Sequence, residues 1–270
     1  MIKKDAVFFI TGCSSGFGRE FATVALERGY RVIATARNIA DLDYLRDNKN
    51  ALAVVCDITK PDTIVAAVNR GVECFGHIDV LINNAGVNYL TALEDSDDVL
   101  MRRMFETDLF GTINVKKTLL PFIKKSGGVV VNISSVDGFD STYIGLFYGI
   151  IKAGFDAMTR SLINGGVRAM SVNPGPFETR CRENSLENST HEKYTGGMRP
   201  APRIVADALF DTLESDKRWP MRLVIGETAF PRYRRVLKQM QYDRKYCGKF
   251  AINHSLLHHS FWWRLFRGNI

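Results

Sequence analysis

Long apolar runs and paired cysteines are both missing from this sequence of 270 residues. No window approaches the roughly 18 uninterrupted apolar residues that a membrane-spanning helix needs. The first residues, "MIKKDAVFF", lack the apolar core and the cleavage site of a signal peptide. The five cysteines are odd in number and never form a C-x-x-C pair, so we expect neither a disulfide framework nor zinc. These absences predict a cytoplasmic protein without a metal.

The net charge of +7 could indicate an anionic partner. Much of it lies in the late segment "PRYRRVLKQMQYDRKYCGKF". No zinc finger or aromatic-interleaved RNA motif accompanies it, so we expect no nucleic-acid partner and a solvated basic face that favours an anionic cofactor. His254 and His258 are one helical turn apart, but no carboxylate or cysteine lies near them, which argues against a metal site.

Short apolar runs alternate with helical stretches along most of the chain. Such runs are typical of buried parallel strands, which makes this an α/β protein with a doubly wound sheet of about seven strands in one domain. The runs are "AVFFI", "RVIAT", "ALAVV", "DVLIN", "GVVVNI", "VRAMSV" and "MRLVI". A sheet of this kind binds its ligand beyond the carboxyl ends of the strands.

The predicted domain spans residues 1–235 and is followed by a basic and aromatic extension, 236–270. A polar segment rich in glycine and proline, about 175–203, is interpreted as a loop over the substrate. Three interpretations of "LLHHSFWWRLFR" stay open: an active-site lid, a peripheral anchor at a membrane interface, or a partner-binding segment.

The turn "TGCSSGFGRE" follows the first apolar run and opens a helix. Amides at a helix N-terminus carry a partial positive charge and bind pyrophosphate well. The spacing G-x-x-x-G-x-G differs from the common dinucleotide pattern G-x-G-x-x-G, and glycines also serve packing. Taken alone, the turn is therefore weak support for a nucleotide.

Four further stretches make the pattern specific: "CDIT", "NNAG", "NISS" followed by "YGIIK", and "NPGPFET". In this order and spacing, residues 5–230 resemble the short-chain dehydrogenase/reductase family. The resemblance implies a Rossmann-like sheet, a nicotinamide dinucleotide, and interconversion of alcohols and carbonyls. The wording of "ITGCSSGFG" and "VIATARN" is most similar to the branch with hydroxysteroid and retinol dehydrogenases, which implies a hydrophobic substrate.

The resemblance also assigns cofactor contacts across the chain. The turn would hold the pyrophosphate, Asp57 the adenine, "NNAG" the adenosine side and "NPGPFET" the nicotinamide side. The residues concerned are Gly12, Ser14, Ser15, Gly16, Gly18, Asp57, Asn84, Ala85, Gly86, Pro174, Gly175 and Thr179. Where NAD-binding proteins end the second strand with an acid, this chain has Arg37, whose guanidinium suits a 2′-phosphate. This predicts NADP(H).

Tyr148 and Lys152 stand one helical turn apart, on one face of a helix. An adjacent ammonium favours the phenolate and lowers a phenol pKa from its usual value of about 10, so Tyr148 is predicted to be the general acid or base. By the resemblance, Ser135 holds the substrate oxygen, and both Tyr148 and Lys152 also contact the cofactor.

Two departures from the family pattern leave an alternative open. Asp108 stands where relatives carry an asparagine of the proton relay; it keeps the main-chain carbonyl, and its carboxylate could help hold Lys152 charged. The path from Lys152 to Pro174 is shorter than in relatives, which predicts that the helix between them ends earlier than theirs, at Asn164. In relatives this helix often packs against its counterpart in an oligomer. The short helix therefore weakens the prediction of a homo-oligomer. The alternative function is an NADP(H)-sensing protein without chemistry.

Overall fold

The computed structural model describes residues 1–179 and 199–251, with side chains to residue 247. Most of the predicted substrate loop, 180–198, lies outside the described residues. So does the segment 252–270, with His254, His258 and the aromatic end of the chain.

Seven parallel strands form one sheet in the described part of the chain. Their order is β3-β2-β1-β4-β5-β6-β7. The bounds are β1 (Val7–Ile10), β2 (Arg31–Ala36), β3 (Ala51–Val55), β4 (Val80–Asn83), β5 (Val129–Ile133), β6 (Arg168–Pro174) and β7 (Arg222–Ile225). Each strand lies within two residues of a predicted run, and the doubly wound α/β fold is confirmed.

The helices connect successive strands and cover both faces of the sheet. They are α1 (Gly16–Glu27), α2 (Pro61–Phe75), α3 (Asp98–Met104), α4 (Thr112–Ser126), α5 (Leu146–Asn164), α6 (Arg203–Glu214) and α7 (Ala229–Ala251). A π-helical turn, Phe105–Gly111, joins α3 to α4 without a break, and short 3₁₀ turns lie at Ile39–Leu45 and Val136–Gly138. An α-helix thus lies in every crossover except that from β2 to β3, where the 3₁₀ turn Ile39–Leu45 takes its place.

Two apolar layers sandwich the sheet. On one face Phe21 of α1 and Phe210 of α6 pack against alternate strand residues such as Phe8. On the other face Ile64 of α2 and Leu119 of α4 pack against the intervening residues of the same strands. Since both faces are covered, β1, β4 and β5 are buried along their full length, which explains why these strands are mostly apolar.

The early end of α5 is confirmed. The helix stops at Asn164, and Gly165 and Gly166 turn the chain back to β6, with Gly166 at φ 76°. Glycine adopts this left-handed conformation without steric cost. The structure contains a single chain, so the predicted effect on oligomers stays a prediction.

Helix α7 runs through the predicted boundary between residues 235 and 236, so the basic extension begins inside a helix. Residues 237–247 of this helix are solvent-exposed, including Leu237, Met240 and Tyr242. No helix among the described residues has both the length and the apolarity to cross a bilayer. The three interpretations of the chain end stay open.

Candidate active site

All of the predicted site residues lie at the carboxyl edge of the sheet. The glycine turn follows β1, Arg37 follows β2 and Asp57 follows β3. The "NNAG" turn follows β4, Ser135 follows β5 and Gly175 follows β6. The strand order reverses between β1 and β4, and in open α/β sheets the crevice at such a point is where ligands bind.

The glycines of the turn are required first by the protein's own packing. Gly12 has φ 73°, and a Cβ there would lie 2.8 Å from the Cα of Ala85. A Cβ on Gly18 would lie 2.1 Å from the carbonyl oxygen of Gly12. Neither distance is possible between real atoms, so Gly12 and Gly18 hold the turn tightly against the "NNAG" turn. Sequence reasoning favoured the cofactor as the reason for these glycines and kept packing as the alternative.

The N-terminus of α1 fits a phosphate group. Ser15 is the N-cap, its side chain makes no capping hydrogen bond, and the first turn carries no acidic residue. The first amides of a helix have no intrahelical acceptor, so they are donors for an anion. Gly16, with φ 54°, lies against Thr179, since a Cβ there would be 3.4 Å from the Thr179 Cβ. The residues predicted to hold the pyrophosphate and the nicotinamide side are therefore neighbours.

The "NNAG" turn is fixed to β1 by hydrogen bonds through Thr11. The Thr11 Oγ1 accepts from the amides of Asn84 and Ala85 at 2.9 and 3.0 Å. The Asn84 side chain donates to the carbonyls of Thr11 and Gly12 at 2.9 and 3.1 Å. These bonds hold the two turns of the switch point in one fixed arrangement.

Arg37 is exposed at the end of β2 and lies close to Asp57 at the end of β3. Partial burial raises the pKa of Asp57, but hydrogen bonds from Thr59 and the positive charges of Lys60 and Arg37 outweigh it, so the pKa is lowered. The Asp57 Oδ1 accepts from the Thr59 hydroxyl at 2.8 Å. An exposed guanidinium thus stands at the end of the crevice where the adenosine is predicted to bind.

Lys152 is buried inside the site, with 7% of its surface exposed. Its ammonium donates to the Ile133 carbonyl at 2.8 Å, at the end of β5. The Nζ lies 5.3 Å from the centre of the Tyr148 ring and 4.6 Å from that of Phe155. The first turns of α5 thus bring Tyr148 and Lys152 together beside β5, as their spacing predicted.

Ser135 caps the 3₁₀ turn that follows β5, and its Oγ accepts from the amide of Asp137 at 3.2 Å. Its carbonyl accepts from the Asn173 side chain at 3.0 Å. The neighbouring Ser134 hydroxyl donates to the Lys152 carbonyl at 2.9 Å, which joins the loop to α5. Ser135 and Lys152 are therefore held by the same loop.

Asp108 lies in the π-helical turn and is 1% exposed. Its Oδ1 accepts from the Val87 amide at 2.8 Å, and a Cβ on Gly86 would lie 3.0 Å from its Oδ2. Burial raises the pKa of this carboxyl to about 7, against the lowering effects of the Lys152 charge and of the Val87 hydrogen bond. Asp108 thus titrates near neutral pH, next to Lys152.

A second buried lysine, Lys116 on α4, was missed by sequence reasoning. It is 8% exposed, and its Nζ lies 3.4 Å from the Met158 sulfur and 5.2 Å from the centre of the Phe155 ring. Burial, together with repulsion from Lys152, lowers its pKa to about 7. The signal was weak, since "NVKKTLL" reads as an ordinary amphipathic stretch.

Polar residues inside the strands form a buried network that the sequence did not predict. The Asn83 side chain donates to Asn132 at 3.0 Å, and Asn132 donates to the Thr159 hydroxyl at 2.8 Å. Thr159 is also 2.8 Å from the Ser171 hydroxyl. These buried bonds tie α5 to β5 and β6 beneath the site. Asn and Ser in otherwise apolar runs were the available signal.

The aromatic residues near the site divide into two groups. Phe177 and Phe147 are buried in the core. Phe139 packs edge-on against Tyr233 of α7, with ring centres 5.2 Å apart, and Tyr143 is exposed with its hydroxyl on Glu94. Among the described residues, no group of three or more His, Cys, Asp or Glu is arranged to hold a metal.

Comparisons with known proteins agree with this architecture. The family model described as short chain dehydrogenase matches residues 6–190. The oxidoreductase calM of Penicillium decumbens is 31% identical over 261 residues, covering 84% of this chain and 86% of the relative.

Solved structures agree over most of the chain. A short-chain dehydrogenase from Streptomyces avermitilis has a TM-score of 0.81 and 29% identity, covering 93% of this chain and 99% of the other. A short chain dehydrogenase from Burkholderia cenocepacia J2315, in complex with NADP, has a TM-score of 0.76 and 25% identity, covering 91% and 98%. Because the family model matches more than half of the sequence, this protein belongs to the short-chain dehydrogenase/reductase family of oxidoreductases.

Proposed function

We propose that this protein is an NADP(H)-dependent oxidoreductase that interconverts a carbonyl and an alcohol on a hydrophobic small molecule. The glycine turn, Arg37, Asp57, the "NNAG" turn, Gly175 and Thr179 would hold the dinucleotide. When bound there, the dinucleotide would supply or accept the hydride. The chain itself orients the substrate oxygen and moves the proton.

The Tyr148 hydroxyl gives its proton to the substrate oxygen in reduction and takes it back in oxidation. The Lys152 ammonium favours the phenolate that remains, since an opposite charge nearby stabilises the charged form. The Ser135 hydroxyl donates to the same substrate oxygen and holds it in place for the transfer.

One observation carries this proposal: the buried Lys152 ammonium is fixed by the Ile133 carbonyl at 2.8 Å, with the Tyr148 ring centre 5.3 Å away. Burying a charge is costly unless it is paired or hydrogen-bonded, and such buried ionisable groups cluster at functional sites. The same carbonyl ends the strand that leads to Ser135. The arrangement supports a preorganised proton-transfer site.

The hydrophobic class of the substrate is supported by an apolar rim beside the loop that leads into α5. Leu93 and Tyr143 are exposed by 61% and 72%, and the Tyr143 hydroxyl is bonded to Glu94, the neighbour of Leu93. An apolar ketone, aldehyde or alcohol would cover this surface on binding.

The catalytic assignment is tested with Tyr148→Phe. NADPH consumption is measured against a panel of ketones, aldehydes, retinal and steroids, and NADPH binding is measured separately by fluorescence. We expect turnover to fall at least about a thousandfold with little change in binding. Tyr242→Phe, on the exposed part of α7, is the matched control and should keep wild-type turnover. Substantial turnover in Tyr148→Phe would contradict the assignment.

The cofactor preference is tested with Arg37→Asp. A carboxylate there repels a 2′-phosphate but accepts hydrogen bonds from ribose hydroxyls, so the KM for NADPH should rise far more than that for NADH. Arg46→Asp is the control. Arg46 is also exposed, but it lies beyond the end of β2 and pairs with Asp43. Equal changes in both KM values would remove the NADP(H) preference.

The alternative, an NADP(H)-sensing protein, makes a different prediction for the same panel. It expects tight NADPH binding, no turnover by the wild-type protein and no effect of Tyr148→Phe.

A further inference from the structure

The catalytic serine of the proposed function has a carboxylate beside it that the mechanism does not use. The Ser135 hydroxyl donates toward the Asp137 Oδ2 at 3.4 Å, while the Asp137 amide donates to the same Ser135 Oγ at 3.2 Å. A hydroxyl has only one hydrogen. The hydrogen that points to Asp137 is the one that the substrate oxygen needs.

Asp137 is engaged from its other side by Arg232 of α7. The Arg232 Nη2 donates to the Asp137 Oδ1 at 2.7 Å, and its Nε donates to the Asp140 Oδ2 at 3.0 Å. The two side chains of the Arg232–Asp137 pair are 20% and 22% exposed, so solvent screens the pair only in part. Arg232 of α7 is thus linked to Ser135 through the carboxylate of Asp137.

The charge on Asp137 decides how strongly it competes for that hydrogen. An ionised carboxylate is a strong acceptor, and hydrogen bonds to it are about twice as strong as neutral ones. When a guanidinium occupies the carboxylate, part of its acceptor strength is already used. The 3.4 Å distance from the Ser135 Oγ is consistent with a weak bond, which a substrate oxygen can replace.

We propose that Arg232 is a positioning residue for Ser135, an inference that rests on the proposed function. By engaging the Asp137 carboxylate, Arg232 keeps the serine hydroxyl available to the substrate oxygen. Helix α7 is thereby part of the active site, although it contributes no group that touches the reacting atoms.

Other contacts hold α7 on the same loop, which allows this role to be separated from simple docking. Arg235 also pairs with Asp140, and Tyr233 packs on Phe139 with ring centres 5.2 Å apart. Neither contact involves Asp137. Arg235→Gln therefore weakens the docking of α7 without freeing the Asp137 carboxylate, and it is the matched control for Arg232→Gln.

The experiment compares kcat and KM of the wild-type protein, Arg232→Gln, Arg235→Gln, Asp137→Asn and the double variant Asp137→Asn/Arg232→Gln. We expect Arg232→Gln to lower kcat about tenfold with little change in the KM for NADPH, since one hydrogen bond to the reacting oxygen is lost. Arg235→Gln should stay close to the wild-type kcat.

The double variant separates positioning from structural support. Without a carboxylate at position 137, the loss of Arg232 should cost less than about twofold relative to Asp137→Asn alone. An equal loss in both backgrounds would mean that Arg232 only supports the fold and would overturn the proposal, as would wild-type kcat in Arg232→Gln. If the wild-type protein itself has no turnover that depends on Tyr148, the proposed function fails, and this inference fails with it.

Discussion

At the scale of single residues, two buried groups of opposite sign surround Lys152. Asp108 and Lys116 both have pKa values shifted to about 7, the first upward and the second downward, and burial is the main cause for both. The charge around Lys152 therefore changes within the neutral pH range. This follows from folding, because neither residue stands out in the sequence as a perturbed group.

Replacing Asp108 by Asn tests the first of these shifts. The folded-state pKa of about 7 lies above the unfolded value of about 3.8, so the folded protein binds more protons between these pH values and loses stability as the pH rises through them. Asp108→Asn should remove this loss: little change near pH 4, and a higher free energy of unfolding than wild type at pH 8. Denaturant titrations at several pH values measure it.

Activity gives a second readout for the same variant. Because Asn keeps the main-chain carbonyl and an acceptor for the Val87 amide, turnover should persist in Asp108→Asn, with a changed pH profile near neutrality. Glu106→Gln, on the exposed side of the same turn, is the control. Complete loss of turnover in Asp108→Asn would show that the carboxylate itself is required.

Lys116→Met should stabilise the protein, and more so at pH 6 than at pH 9. The folded-state pKa of about 7 lies below the ordinary value of 10.5, so the unfolded chain binds more protons between them and wild-type stability rises with pH. Methionine removes the buried charge, whose cost is complete below the folded pKa. Thermal unfolding at both pH values checks this. The exposed neighbour variant, Lys117→Met, should show no such pH dependence.

At the scale of secondary-structure elements, α5 carries the proposed proton donor, and its position depends on buried polar contacts. Thr159 on α5 accepts from Asn132, contacts the Ser171 hydroxyl and donates to its own helix at the Phe155 carbonyl. A buried donor left without its partner costs about 1–3 kcal/mol. Thr159 therefore fixes α5 on the sheet.

Thr159→Val keeps the size of the side chain but removes these bonds. We expect a loss of about 2–4 kcal/mol in the free energy of unfolding, since two buried partners lose a bond. Thr212→Val on α6 is the control, because its hydroxyl bonds only the Ala208 carbonyl of its own helix. Equal, small losses in both variants would show that the contacts with Asn132 and Ser171 contribute little.

The elements differ in how far the sequence predicts them. The strands were predictable because parallel strands buried on both faces must be apolar, and the site positions followed because they end those strands. Helix α7 was divided at residue 235, because its charge pattern suggested an extension whereas its backbone is continuous. The roles of Lys116, Thr159 and Arg232 depend on contacts between elements distant in sequence, which composition and spacing do not encode.

At the scale of the whole molecule, the candidate cofactor site consists of turns that follow five different strands, so it exists only in the folded protein. A ligand that binds only the folded state stabilises it by mass action, by about 2.7 kcal/mol at a hundredfold excess over its Kd. NADPH should therefore raise the Tm, and NADH at the same concentration should raise it less. In Arg37→Asp the difference between the two should shrink or reverse. Thermal scans with each nucleotide measure it.

The proposed reaction is hydride transfer from bound NADPH to a carbonyl carbon, while Tyr148 gives a proton to the carbonyl oxygen. A direct test uses NADPH carrying deuterium at both C4 positions of the nicotinamide, and mass spectrometry of the alcohol formed from the best carbonyl of the panel. We expect one deuterium on the former carbonyl carbon with the wild-type protein, and no product with Tyr148→Phe. Unlabelled product, or NADPH that binds but is never consumed with any carbonyl, would contradict it.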